Sequence, residues 1–171
     1  AAAFTGGLVE RLIGRRLTGL LGRRVVPRSD HVVVSSNVAQ ALGRELGWDA
    51  QHVIARSHGF SSWARFTKWL EALKNPDSTE SKFEKAADAI VNGDIATLRR
   101  LLKEEPGLVR ARSMREHGAT LLHYVSANGV EGYRQKTPPN IVEITELLIE
   151  AGAQVDAECD VYGGGATTLG L

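Results

Sequence analysis

Five histidines and one cysteine are the residues of this 171-residue chain best suited to metal or nucleophilic chemistry. His31, His52, His58, His117 and His123 never stand four apart, the spacing that puts two imidazoles on one helical face toward a metal. His52 and His58 fall on either side of an expected helix end. Cys159 stands alone, which excludes an internal disulfide framework and a cysteine-based zinc site. A single thiol fits a reducing compartment, and the expected location is cytoplasmic. No Gly-x-Ser-x-Gly elbow, Walker loop or dinucleotide fingerprint is present. Gly163-Gly164-Gly165 could offer backbone N–H groups to a phosphate. No lysine follows it and no strand precedes it, so it reads as a lengthened hairpin turn. Glu146 and Glu150 at i, i+4 read as a solvated helix face, and Asn140 with Glu143 as a capping box. The chain is therefore read as a non-enzyme, with no catalytic, cofactor-binding or metal-binding residue and no cofactor.

Chemistry of that kind being absent, the elements themselves have to carry function through their surfaces. Hydrophobic residues make up 43% and charged residues 24%, an ordinary globular composition. The net charge of +1 is unevenly placed. Residues 1–47 hold seven Arg, no Lys and three acids, whereas residues 48–171 hold fourteen bases and seventeen acids. No run approaches the roughly eighteen apolar residues that span a bilayer. The chain opens AAAFTGG without an initiator Met, which leaves room for an upstream piece or a signal peptide.

Leu8, Leu12, Ile13, Leu17, Leu20 and Leu21 fall near helical spacing, with Arg11, Arg15, Arg16, Arg23 and Arg24 between them. Such a segment suits an anionic membrane surface or an acidic partner, although Gly14, Gly19 and Gly22 each weaken a helix by about 1 kcal/mol. His31 to Ser36 reads as an extended linker. Short helices are expected over Val38 to Leu46 and, capped by Asp49, over Ala50 to Ser57. A third runs over Trp63 to Leu73, capped by Ser61 or Ser62, with Trp63, Phe66, Leu70 and Leu73 on one face. Lys74 to Ser81 is a polar linker. Phe83, Ala86, Ala87 and Ile90 then form a helical stripe, Asn92-Gly93 turns the chain, and Asp94 caps a helix carrying Ile95, Leu98, Leu101 and Leu102. Residues 1–47 are set apart as a basic segment, 48–77 as a helical capping region and 81–171 as repeats.

The repeats rest on His117 to Ala157. Gly118 precedes Thr120-Leu121-Leu122-His123-Tyr124-Val125, Gly129 closes that run, and a second helix with Ile141, Ile144, Leu147 and Leu148 stops at Gly152-Ala153-Gln154-Val155-Asp156-Ala157. This resembles an ankyrin repeat, with its T-P-L-H-x-A signature and its G-A-x-V-[ND]-A turn. Leu121 stands where the family has Pro, and Val125 where it has a small Ala. Aligning Gly93 with Gly129 makes residues 83–107 an earlier, degenerate repeat with Glu84 in the place of Thr120. The run Asp49 to Leu73 looks like a segment found before the repeats of bacterial ankyrin-repeat proteins. Gly118 and Gly165 stand 47 residues apart, against a period of about 33. The excess falls in the Gly129–Asn140 loop and in Asp160–Gly164. The chain stops a few residues into a third repeat, so a fragment with an apolar face open at its C-terminus is expected.

The resemblance implies an all-α fold, a helical cap followed by a short ankyrin-like α-solenoid with hairpin turns. In it Gly118, Thr120, Leu122, His123, Gly129 and Gly152 are structural, Thr120 and His123 holding the backbone turn through hydrogen bonds. It also implies a protein-binding scaffold whose partner meets the hairpin tips and inner helices. Mapped here, that surface is Arg112, Arg115, Glu116 and His117 on the finger, Tyr124 and Asn128 on the inner helix, and Tyr133, Arg134 and Lys136 on the inserted loop. Tyr and Arg are favoured at binding hot spots, and so long a loop in a compact repeat needs a reason. Two alternatives remain open. Gln40 to Ala55 roughly follows a helix-turn-helix pattern, with Arg44 and Arg56 toward phosphates, but its would-be recognition helix is poor in bases. Leu8 to Val26 could serve a membrane-surface adaptor.

Overall fold

The computed structural model describes residues 50–171. The expectations for the basic segment, for Val38 to Leu46, for the Asp49 cap and for most of the helix-turn-helix pattern lie outside these residues. Among the described residues the fold is helical, with β-pairing limited to two isolated antiparallel bridges.

The first two helices, α1 (Ala50–Ser57) and α2 (Trp63–Leu73), form a small aromatic unit. Ser62 holds an extended backbone and its Oγ accepts from the Arg65 N–H, satisfying a donor that a helix start leaves free. Ile54, Ala55, Phe60 and Phe66 are buried together, with Trp63, Trp69, Leu70 and Met114 packed against them. Met114 comes from far along the chain, so this unit is tied to the rest.

The main core is built on α3 (Thr79–Asn92) and α4 (Ile95–Glu104). Ser78 caps α3, whose first turn thus starts inside the expected linker. Phe83, Ala86, Ala87 and Ile90 are all buried. Gly93 then turns the chain with φ 77°. A Cβ there would stand 2.7 Å from Asn140 Oδ1 and 3.1 Å from Pro138 Cβ, so both the backbone and the space demand glycine. Asp94 caps α4 by accepting from the Thr97 N–H. Leu98, Leu101 and Leu102 face inward, and a 3₁₀ turn at Pro106–Arg110 buries Leu108 and Val109.

Beyond this pair come two hairpin-like turns, each leading into a helical turn. Residues 112–120 close through an Arg112–Thr120 bridge and lead into a 3₁₀ segment, Leu121–Ser126. Residues 159–166 close through a Cys159–Ala166 bridge and lead into a 3₁₀ turn, Thr168–Gly170. The correspondence extends to backbone angles. Gly118 and Gly165 have φ 56° and 71°. Thr120 and Thr167 have φ, ψ of −84°, 170° and −90°, 167°. Between the two turns lie a short 3₁₀ element at Gly132–Arg134 and helix α5 (Ile141–Glu150), which buries Ile144, Leu147 and Leu148.

Two local expectations are corrected. The segment after Thr120 is six residues of 3₁₀ structure, not a full α-helix. Ala127 turns left-handed at φ 54°, and the Ser126 hydroxyl donates to the His123 carbonyl, which stops the helix early. Asn140 forms no capping bond to α5. Its amide instead donates to the Gly93 carbonyl at 2.9 Å, fastening the start of α5 to the α3–α4 turn.

Candidate interaction surface and the buried ion-pair cluster

Helix α3 presents Glu84, and just beyond it Asp88, beside its apolar stripe. The first hairpin brings Arg115 to Glu84 at 2.6 Å, and the inserted loop brings Arg134 to its other oxygen at 2.7 Å. Arg134 also reaches Asp88 at 2.7 Å and the Glu84 carbonyl at 3.2 Å. Glu131 receives Arg115 Nε at 2.7 Å. Both arginines are almost wholly buried, at 4% and 3% exposure. A guanidinium is tolerated there because its donors meet carboxylates, a carbonyl or the Tyr133 hydroxyl and its faces meet rings. Arg115 lies over Trp69, 4.9 Å from its centroid, and Arg134 over Tyr133 and Tyr124 at 5.3 and 5.7 Å. Trp69 itself donates from its indole N–H to Glu84.

The titration behaviour follows from that arrangement. Burial alone would raise the Glu131 carboxyl, but the His117 hydrogen bond and the charges of Arg115 and Arg134 outweigh it and hold Glu131 at about 2. Burial would weaken both guanidinium charges, yet the carboxylates of Glu84 and Glu131 push their affinities for the proton further up. Tyr124, desolvated and close to Glu131, is held in its neutral form and donates to it at 3.3 Å. His117 Nδ1 accepts from the Ala119 N–H, which leaves the proton on Nε2, facing Glu131 at 3.4 Å.

The cluster joins three of the expected contact residues and removes them from the surface. Arg115, Tyr124 and Arg134, expected on a partner surface, are all buried and bonded inside the chain. The loop between Gly129 and Asn140 turns inward at Arg134. Tyr133 is half-buried and accepts from Arg115, and Lys136 is exposed. Glu116 is exposed and pairs with Arg56, which ties the first hairpin to α1 and engages an arginine considered for phosphate contact. Asn128 is half-buried. It donates to the Leu171 carbonyl and accepts from the Tyr162 hydroxyl.

The two hairpins stand side by side. The Asp160 N–H donates to the His117 carbonyl at 2.8 Å, and Arg112 donates to the Gly118 and Glu158 carbonyls at 2.8 and 2.7 Å. Between them runs an open groove of about 460 Å³, lined by Arg112, Glu116, His117, Glu158, Asp160 and the backbone of Gly118, Gly164 and Gly165. Arg112 Nη1 donates to both carbonyls, Glu116 is paired with Arg56, and Glu158 and Asp160 add two exposed carboxylates with no ion pair among the described residues, so acids outnumber bases on the rim. Tyr162, at the second tip, is 77% exposed with φ 52°.

Of the structural residues, Thr120, Leu122 and His123 are buried. The Thr120 N–H donates to His123 Nδ1 at 3.1 Å, and its hydroxyl lies 2.9 Å from the same nitrogen. Burial lowers the affinity of His123 for a second proton, with the Ala166 and Ala157 carbonyls acting the other way. Gly129 has φ 70°, and a Cβ there would meet Leu171 at 2.8 Å, whereas Gly152 has φ 94° at the end of α5. Glu84, Asp88, Glu131 and Trp69 were not singled out as site residues. The one sequence signal was Glu84 itself, a carboxylate where an aligned repeat has Thr120.

Among the described residues no group of three or more His, Cys, Asp or Glu side chains could hold a metal ion, and no helix is long and apolar enough to cross a membrane. No protein-family model, curated protein or solved structure matches the chain.

Proposed function

We propose that the chain is a non-catalytic protein-binding scaffold of ankyrin-repeat type, acting in the cytoplasm on another protein. The observation that carries this reading is the pair of hairpins joined by the Asp160–His117 hydrogen bond, each opening through a Thr of matching backbone angles into a helical turn. The Thr120–His123 contact fits the same reading. The binding surface is the acidic groove between the hairpins together with the Tyr162 tip, an exposed aromatic being a suitable anchor. The partner is a protein segment that brings lysines or arginines to Glu116, Glu158 and Asp160.

The test is affinity capture from a bacterial lysate with the tagged chain, read by mass spectrometry beside a variant carrying Glu158→Arg, Asp160→Arg and Tyr162→Ala. The expected result is a discrete protein retained by the first bait and lost from the second. Equal capture by both moves the site off the hairpins. Capture of nucleic acid alone, released by high salt, rejects the scaffold reading.

A further inference from the structure

The outer face of α5 carries an apolar strip that nothing in the described part of the chain covers. Val142 is 68% exposed and Ile149 47%, and their spacing of seven puts them on one side of the helix. Glu146 lies between them, with Glu143 and Glu150 along one flank. Val155, 52% exposed, follows just past the helix end. The opposite face of α5 is fully used, with Ile144 and Leu148 wholly buried. The strip is therefore additional apolar surface and not a core face turned outward.

Its charges are all of one sign. Some surface acids pair with nearby bases, Glu71 with Lys74, Glu104 with Arg100 and Glu116 with Arg56. Helix α5 reads IVEITELLIE and contains no base. Its three glutamates have no ion-pair partner among the described residues.

We infer that this strip seats the chain's own residues 8–26. That segment reads LVERLIGRRLTGLLGRRVV, with five arginines, one acid and a run of leucines, the inverse in charge and the match in apolar character of α5. Residues 27–49 join it to α1. At about 3.3 Å per residue they extend to roughly 75 Å, while a domain of this size has a radius of gyration of only about 14 Å, so every surface lies within reach. The tether also favours this occupant over a second copy. Covalent tethering supplies an effective concentration on the order of millimolar, at which a few apolar contacts and exposed ion pairs suffice. The inference rests on α5 and the N-terminal sequence, and is independent of the hairpin groove.

The experiment places a benzophenone amino acid at Ile149 in the full 171-residue chain and maps its photo-cross-links by mass spectrometry. Cross-links into residues 8–26 within a monomeric product are expected. Glu143→Lys, Glu146→Lys and Glu150→Lys together should reduce their yield about tenfold, three exposed pairs being lost. Adding Arg11→Glu, Arg15→Glu and Arg16→Glu to that variant should restore the yield, which separates a charge contact from damage to the fold. Absence of cross-links into residues 8–26, predominance of covalent dimers, or indifference to both charge sets overturns the inference.

Discussion

Replacing Arg134 by Ala tests the central structural finding, that the loop between Gly129 and Asn140 contributes a buried cation to the core. Arg134 is 3% exposed and bonds to Glu84 at 2.7 Å, to Asp88 at 2.7 Å and to the Glu84 carbonyl at 3.2 Å. Asp88 is more than half exposed, so that pair contributes little. The Glu84 pair is different, because both groups are desolvated. At such a distance, with an effective dielectric constant near 20, a charge pair is worth several kcal/mol, and removing one partner of a buried pair costs about 3–5 kcal/mol. Arg115 remains on Glu84 and Glu131, which places the expected loss at the lower end, about 3 kcal/mol. The assay is urea unfolding followed by far-UV circular dichroism and tryptophan fluorescence. Arg134→Lys should keep the charge but lose the fork and fall between the two. Arg134→Met combined with Glu84→Gln should lose less than the two single changes added together, since each single change leaves an opposite charge stranded. A loss below about 1 kcal/mol for Arg134→Ala, the value of an exposed ion pair, would refute the argument and return the loop to the surface.

Two further outcomes follow from the same geometry. Glu131 is held at about 2, below its ordinary 4.5, so it binds protons less readily folded than unfolded. Its contribution, on the order of 3 kcal/mol, is present above pH 4.5 and is lost as the pH falls toward 2. Acid unfolding of Glu131→Gln should show a flatter pH dependence over that window, and equal slopes would count against the assignment. Gly93→Ala forces a methyl against Asn140 and Pro138 at φ 77° and should cost about 2 kcal/mol or more by thermal unfolding. A neutral result would mean that the α3–α4 turn and the start of α5 are not in contact.

Helices were legible because their signals are local. Ser62 and Asp94 stand just before apolar stripes, Gly93 just after one, and the short-range bonds that these residues form need no knowledge of the rest of the chain. Asn140 shows where that logic stops. Its spacing to Glu143 fits a capping box, yet the competing acceptor, the Gly93 carbonyl, lies 47 residues away in sequence. The site was less legible for the same reason. A loop reading Tyr-Arg-Gln-Lys looks solvated, and only Glu84, fifty residues earlier, makes Arg134 an interior residue. Arg115 and Tyr124 were placed by analogy with an exposed surface, whereas the insertion covers them. Arg112, Glu116 and His117 do lie together along one groove, because a hairpin keeps residues close in sequence close in space.

Linear stacks of helical pairs commonly open from their ends, one unit at a time, since each unit touches only its neighbours. Here Glu84 draws on Trp69 of α2, Arg115 of the first hairpin and Arg134 of the insertion at once. Detaching the hairpin or the loop leaves an unbalanced charge in the interior, and detaching α2 removes a donor from Glu84 and the ring beneath Arg115. The first two helices, the α3 pair and the 129–140 loop are thereby bound into a single cooperative block, and α2 cannot fray without loosening the middle of the described residues.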